Sequence, residues 1–107
     1  MPKFLVEASY TGDGLKNLQK DRAEGRAAAL KAAMQSLGGK LEAIYWCLGE
    51  HDVIAVADLP DLASAAAIGI AASASGMVRT TTTQLLTAQE LDEALSKGVN
   101  YRAPGQK

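Results

Sequence analysis

The sequence predicts an α+β fold in which a four-stranded antiparallel sheet carries two helices on one face. The apolar runs Leu41–Leu48 and Val53–Ala57 are strand-like, and the break between them, Gly49-Glu50-His51-Asp52, contains the Gly and Asp that are typical of turns. A strand-like and then a helix-like segment precede this hairpin, and a helix-like and then a strand-like segment follow it. The resulting order, βαββαβ, is the ferredoxin-like arrangement.

The first strand and the first helix occupy the segment before the hairpin. Lys3–Tyr10 alternates between apolar and polar positions, which predicts a half-buried strand, and turn residues follow it. We expect a helix that starts weakly at Leu15 and is established by Asp21, because Asp21 and Glu24 have capping-box spacing. A Gly-Gly pair ends the helix. Its apolar face has residues at steps of three and four: Ala23, Ala27, Leu30, Met34 and Leu37.

The elements after the hairpin are a helix, a strand and a short last helix. Pro60-Asp61 begins the second helix, with Asp61 as N-cap, and Gly76 ends it. This helix consists almost entirely of Ala, Ser and Gly, so it buries little apolar area per residue. The Thr-rich run Val78–Leu86 predicts the fourth strand, and Thr87-Ala88-Gln89-Glu90 is a capping box that begins the last helix.

Length and composition describe one ordinary globular domain. The chain has 107 residues, of which 48% are hydrophobic and 21% charged, and a net charge of -1 at pH 7. We expect one domain over residues 1–97 and a polar, disordered tail over residues 98–107. The near-neutral charge argues against nucleic acid and membrane surfaces as partners, and no run is long and apolar enough to span a bilayer. With no secretory leader evident, we expect a cytoplasmic protein.

Both faces of the predicted sheet are substantially apolar. One set of alternate positions contains Phe4, Val6, Leu41, Ala43, Val53 and Ala55. The other set contains Leu5, Ile44, Trp46, Ile54 and Val56. Because two helices cover only one face, the second face needs another cover, and a second copy of the same sheet is the simplest one. We therefore expect a homodimer closed sheet against sheet, or a larger assembly. The alternative is a monomer with a few exposed hydrophobic residues.

Five short motifs occur in an order and at a spacing that resemble one known family. They are Tyr10-Thr11, Gly14-Leu15-Lys16-Asn17-Leu18, Gly38-Gly39-Lys40, Gly49-Glu50-His51-Asp52-Val53 and Arg79-Thr80-Thr81-Thr82. From Phe4 to about Leu95 the chain resembles the GYD family, and the resemblance implies a dimeric α+β barrel. That family is named for a Gly-x-Tyr-Asp hairpin, and His51 stands where it typically has Tyr, so no role of that tyrosine carries over. The resemblance implies a fold and no reaction, because such barrels include monooxygenases, haem-degrading enzymes, isomerases and ligand-sensing domains.

Six residues are candidates for ligand binding. His51 is the only histidine, and it is either an acid–base group or a solvated turn residue. Arg79 begins the last strand, where it either binds a carboxylate or phosphate in a cleft or forms an ion pair. The other four candidates, for which core packing or simple solvation is the alternative, are Tyr10, Tyr45, Trp46 and Lys16. Asp52 is not among the six, and we expect it to brace the hairpin.

The residue inventory argues against a metal or another cofactor. Cys47 is the only cysteine, so a disulfide within the chain and a zinc knuckle are excluded. Adjacent strand residues point to opposite faces, so Glu50, His51 and Asp52 form a poor ligand cluster. A haem would find His51 as its only imidazole ligand. We therefore expect no metal and no cofactor.

Three functions fit these residues. The first is a homodimer that binds a small organic molecule, carboxylated or aromatic, between the sheet and the small-residue helix, with Tyr10, Tyr45 or Trp46 in the walls and Arg79 at the entrance. The second is a cofactor-free monooxygenase or isomerase in which Arg79 orients the substrate and Tyr10 or His51 moves protons. The third is a structural or assembly module without a ligand. The first is favoured because the small side chains of the second helix leave room beside the sheet.

Overall fold

The computed structural model describes residues 1–106, which form one sheet and three helices. The strands are β1 (Lys3–Tyr10), β2 (Lys40–Trp46), β3 (Val53–Asp58) and β4 (Val78–Leu85), and the helices are α1 (Gly12–Ser36), α2 (Leu62–Ala74) and α3 (Ala88–Ser96). All neighbouring strands are antiparallel, in the order β2-β3-β1-β4. The predicted ferredoxin-like arrangement, with a short C-terminal helix after β4, is confirmed.

A β-bulge in β2 decides which of its side chains face the helices. Before the bulge Leu41 faces α1 and α2, and beyond it Ile44 and Trp46 do, because they pair with the helix-facing residues Ala55 and Val53. The extra residue shifts the side-chain alternation by one position. The alternating sets predicted from the sequence are therefore wrong for β2 beyond Leu41. The residues that turn to the face opposite α1 and α2, called the open face below, are Ala43 and Tyr45.

The start of α1 is fixed against the start of β4. Thr11 is the N-cap: its hydroxyl accepts a hydrogen bond from the Gly14 amide at 3.1 Å and donates to the Gly76 carbonyl at 2.8 Å. Gly14 is buried against Met77, and only glycine fits at this position because a Cβ would overlap the Met77 carbonyl oxygen. The helix therefore begins at Gly12, three residues before the predicted Leu15.

The middle of α1 is broken at Arg22. This residue has φ 65° and ψ 165°, a conformation that costs free energy in any residue with a Cβ. It separates two regular segments, over residues 12–21 and 23–36. Asp21 forms an ion pair with Arg26 at 3.7 Å, and the hydrogen bonds of residues 1–106 do not include the capping box predicted for Asp21 and Glu24.

The two later helices begin at the predicted N-caps. The Asp61 carboxylate accepts a hydrogen bond from the Ser64 amide at 2.8 Å, and the Ser64 side chain and amide together lower the pKa of this carboxyl. Thr87 and Glu90 form a capping box with bonds of 3.0 and 3.1 Å. The hydrogen bond from the Thr87 amide lowers the pKa of the Glu90 carboxyl. Both helices thus start where local side-chain chemistry dictates.

The core lies between α1, α2 and the helix-facing side of the sheet. Phe4, Met34 and Leu59 are the largest fully buried side chains. Leu30 and Ile68 pack against this cluster from α1 and α2. The helices are therefore held by a few large residues at one end of the sheet, and the contribution of α2 comes mainly from small side chains.

The C-terminal helix α3 projects from this body. The molecule measures 60 × 32 × 23 Å, and its radius of gyration of 17.2 Å exceeds the value of about 13 Å typical of a compact domain of this size. On α3, Leu91 and Leu95 share one face and are 49% and 74% exposed. No strand or helix of residues 1–106 packs extensively against them. None of the helices in this range has the length and apolarity needed to cross a membrane.

Candidate functional site

A cleft lies between α1, α2 and the helix-facing side of the sheet. α1 packs mainly on β2 and α2 mainly on β4, so the two helices diverge over the central strands β1 and β3. The inner part of the cleft has a volume of about 80 Å³ and the outer part about 340 Å³. The residues that line both parts are Tyr10, Arg26, Leu30, Ile68, Ala72 and Val78.

Small side chains on α2 keep this cleft open. Ala72 lines both parts of the cleft and Ala71 the outer part, and each contributes only a methyl group. Gly69 faces β4, where a Cβ would lie 3.4 Å from the Thr80 hydroxyl oxygen. The helix can therefore approach the outer strand closely while it leaves space above β1 unfilled.

Two aromatic residues form part of the cleft wall and carry hydrogen-bonding groups. Tyr10 ends β1 and Trp46 ends β2, and the Trp46 Nε1 donates a hydrogen bond to the Tyr10 hydroxyl oxygen at 3.2 Å across the intervening β3. Trp46 reaches the helix side only because the bulge in β2 shifts its register. Its side chain remains partly accessible from solvent. The pair therefore offers a large apolar surface with hydrogen-bonding atoms at its edge.

The hairpin loop, residues 47–52, holds the end of β1 in place. The Asp52 carboxylate accepts a hydrogen bond from the Tyr10 amide at 2.8 Å. The Asp52 amide donates to the Ala8 carbonyl at 2.9 Å, and its carbonyl accepts from the Cys47 amide at 2.7 Å. Asp52 thus braces the hairpin, as expected, and it also fixes the backbone that carries the Tyr10 ring.

Arg26 is the cleft residue that the sequence analysis missed. It lies four residues beyond the break in α1 and at successive steps of four from Leu30 and Met34, so the three share one helix face. Its guanidinium Nη1 lies 3.7 Å from the Asp21 carboxylate, and its side chain is 42% exposed. The spacing Arg26, Leu30, Met34 was the available signal, because it places a cation on the apolar stripe of the helix.

The other candidate residues lie outside the cleft. Tyr45 and Arg79 project from the open face, where both are exposed. His51 approaches the same face, with its Nε2 3.6 Å from the Glu7 carboxylate. Lys16 is exposed on the first segment of α1. Of the six candidates, the structure brings together Tyr10 and Trp46 in the cleft, while Tyr45, His51 and Arg79 share the opposite face.

The open face has an apolar centre and charged pairs near it. The Lys3 Nζ lies 2.8 Å from a carboxylate oxygen of Asp58 and 2.8 Å from one of Glu42. Both hydrogen bonds raise the pKa of the Lys3 ammonium group, and the bond with Asp58 has the larger effect. The pair of Glu7 and His51 lies nearer the other end of β1 from Lys3. The half-buried apolar residues between these charged groups are Leu5, Ala43, Ile54 and Val56.

Other regions of the molecule are less suited to chemistry. A depression of about 550 Å³ lies between α2 and β4, and no charged side chain lines it. Across residues 1–106 no three His, Cys, Asp or Glu side chains are placed to hold a metal ion. Cys47 is a free, half-buried thiol in the hairpin loop. The cleft is therefore the region where a cation, hydrogen-bonding aromatic groups and an apolar floor occur together.

Comparison with known proteins identifies the family. A family model described as the GYD domain matches residues 4–95, which include all of the sheet except Lys3 and all of α3 except Ser96. Comparison with curated proteins and with solved structures found no significant match. Because the match covers most of the 107 residues, and because the ferredoxin-like arrangement agrees with the motif order in the sequence, the chain belongs to the GYD domain family.

Proposed function

We propose that the protein is a homodimer that binds a small organic molecule in the cleft of each chain. The observation that carries this proposal is the hydrogen-bonded pair of Tyr10 and Trp46 in the wall of a cleft with an apolar floor. Ligand sites are typically concave and mostly apolar, with a few polar groups that orient the ligand. The outer part, at about 340 Å³, falls within the usual size range of such sites.

The dimer half of the proposal rests on the open face of the sheet. Its half-buried apolar residues offer an area that a second sheet would remove from water, which is favourable in proportion to the apolar area buried. Near them lie groups of both signs, including Lys3, Asp58 and the pair of Glu7 and His51. A surface that carries both signs can be self-complementary about a two-fold axis. A second copy of the chain is therefore the partner that we assign to this face.

Native mass spectrometry of the full-length chain tests both halves. We expect a dimer that carries a small added mass, and we expect this mass to disappear when the protein is denatured. Ala72→Phe fills the cleft, because Ala72 lines both of its parts, and this variant should lose the added mass while it remains dimeric. Ala67→Phe, on the exposed side of the same helix, is the matched control and should retain it.

Two results would contradict the proposal. A bound molecule that survives Ala72→Phe would lie outside the cleft. A chain that stays monomeric at the concentrations used would remove the role assigned to the open face, whatever the cleft binds.

An assembly module is the second candidate function, and α3 is the observation that favours it. Leu91 and Leu95 form an exposed apolar stripe on a helix of nine residues, a length that is marginally stable without packing partners. If assembly is the main role, Leu91→Ser with Leu95→Ser should reduce a larger oligomer to a dimer. Light scattering that shows the same mass for the variant and the original chain would argue against this role.

A further inference from the structure

We propose, resting on the proposed function of the cleft, that its ligand is a singly charged carboxylate attached to an apolar ring. Arg26 would bind the carboxylate, and the Tyr10 hydroxyl would donate a second hydrogen bond to it. Both residues line the inner and the outer part of the cleft, so a ligand at the junction between the parts would contact both side chains.

Arg26 is available to a ligand because its own ion pair is weak. A guanidinium carries five N–H donors in a planar fork and no acceptor, a geometry that suits two carboxylate oxygens. The contact with Asp21, at 3.7 Å, is longer than a hydrogen bond, and the two side chains are 42% and 52% exposed. Exposed pairs of this kind contribute little stability, so a carboxylate inside the cleft can compete with Asp21.

Tyr10 supplies the second donor. Its hydroxyl oxygen already accepts the Trp46 Nε1 hydrogen bond at 3.2 Å, which leaves the hydroxyl hydrogen directed elsewhere. The hydrogen bonds within residues 1–106 include none that this hydroxyl donates, and its contact with Trp46 is solvent-exposed, so the hydrogen is open to a ligand. A ligand that places an acceptor between Tyr10 and Arg26 would therefore satisfy both donors at once.

The charge of the cleft favours a carboxylate over a phosphate. Among the lining residues Arg26 is the one cation, and Asp21 in the outer part is the one anion. A phosphate carries up to two negative charges and would remain partly uncompensated next to Asp21. A carboxylate carries one charge, so it leaves less negative charge uncompensated beside Arg26 and Asp21 than a doubly charged phosphate does.

The size and walls of the cleft favour a ring as the body of the ligand. A cavity of roughly 150 Å³ accommodates benzene in a protein interior. The outer part, at about 340 Å³, therefore has room for one ring and a short acidic arm. The inner part, at about 80 Å³, is too small for a ring, so the ring would lie in the outer part. There it would meet Leu30, Ile68 and Ala72.

The emission of Trp46 gives a direct assay, since it is the only tryptophan of the chain and it lies in the cleft wall. The full-length protein is titrated with phenylacetate and with phenylacetamide, a neutral molecule of the same shape. We expect phenylacetate to bind about tenfold more tightly, because a hydrogen bond between two charged groups contributes more than one to a neutral amide. Calorimetry on the same samples confirms the binding constants.

Variants of Arg26 assign the preference to its charge. Arg26→Gln should bring the two binding constants to within about twofold, since the ion pair is lost. Arg26→Glu should reverse the preference, so that phenethylamine binds better than phenylacetate. Lys31→Gln, an exposed cation on the same helix, is the control and should leave the original preference unchanged. Far-UV circular dichroism establishes that each variant is folded.

The outcomes separate this inference from the proposed function. Equal binding of phenylacetate and phenylacetamide to the original chain would overturn the carboxylate assignment while it supports a ligand-binding cleft. A preference that survives Arg26→Gln would overturn the role of Arg26. If calorimetry detects binding of neither probe, the assignment of a ring with a carboxylate is overturned, and the proposed cleft function is decided separately by the native mass spectrometry of Ala72→Phe.

Discussion

The break in α1 can be tested by replacing Arg22 with residues that differ only at Cβ. Arg22→Ala removes the long side chain but keeps Cβ, and Arg22→Gly removes both. In the interior of a regular helix the Ala variant would be the more stable of the two by about 1 kcal/mol. At φ 65° and ψ 165° the order should reverse, because this region is essentially reserved for glycine.

The magnitude follows from two opposing terms. A residue with a Cβ in this region costs about 1–3 kcal/mol of strain. Glycine costs about 0.5–1 kcal/mol in the extra conformational freedom of the unfolded chain. The difference leaves Arg22→Gly more stable than Arg22→Ala by about 1 kcal/mol, which corresponds to about 4–8 °C in Tm for a domain of this size.

Urea unfolding followed by circular dichroism measures the difference. All samples need the same protein concentration, because self-association contributes to the apparent stability. Ala28→Gly, at an exposed position in the regular second segment of α1, is the control and should lose about 1 kcal/mol. If Arg22→Gly proves less stable than Arg22→Ala by a similar amount, residue 22 is helical in solution and the proposed break is refuted.

Two further predictions concern the helix ends. Gly14→Ala should lose about 1–3 kcal/mol, because its Cβ would overlap the Met77 carbonyl, whereas Gly12→Ala meets no atom within 4 Å and should not lose stability; equal unfolding midpoints would contradict this. The lowered pKa of Glu90 means that its stabilisation of α3 is complete above the ordinary glutamate pKa and is lost as the pH falls through the lowered value. The protection factors of the α3 amides, corrected for the intrinsic exchange rate at each pH, should fall over that acid range, and should change much less in Glu90→Gln, which has no carboxyl to protonate. Constant protection factors in the original chain would contradict this prediction.

The N-caps of α2 and α3 were predicted correctly, whereas the start of α1 was not. Asp61 and Thr87 cap their helices because each side chain bonds an amide three residues away, a relation visible in the sequence. The bulge in β2 was not predicted, because the register of a strand depends on what its partner strand and the core require. That single shift places Trp46 on the same face as Val53 and Ala55, and not with Leu5, Ile54 and Val56, with which the simple alternation had grouped it.

The composition of the candidate site was predicted only in part for the same reason. Tyr10 and Trp46 were recognised as aromatic candidates, but their contact requires strands that are separated by 36 residues in sequence. Arg26 was missed because the helical periodicity of α1 was used only to find the apolar core residues. The same periodicity places Arg26 on the helix face that carries Leu30 and Met34. The placement of Arg79 depends on the parity of its pairing with Ser9, which no local pattern in a Thr-rich strand reveals.

The long axis of 60 Å affects how this protein behaves in measurements of size. An elongated chain diffuses more slowly than a sphere of equal mass, so a single copy elutes early from a gel-filtration column and resembles a heavier compact protein. Packing of α3 against a second copy would add mass while it shortens the projection of each chain. The ratio of hydrodynamic radius to mass therefore distinguishes a free α3 from a packed one. A dimer with packed α3 helices should diffuse faster than a dimer of the same mass in which both helices project.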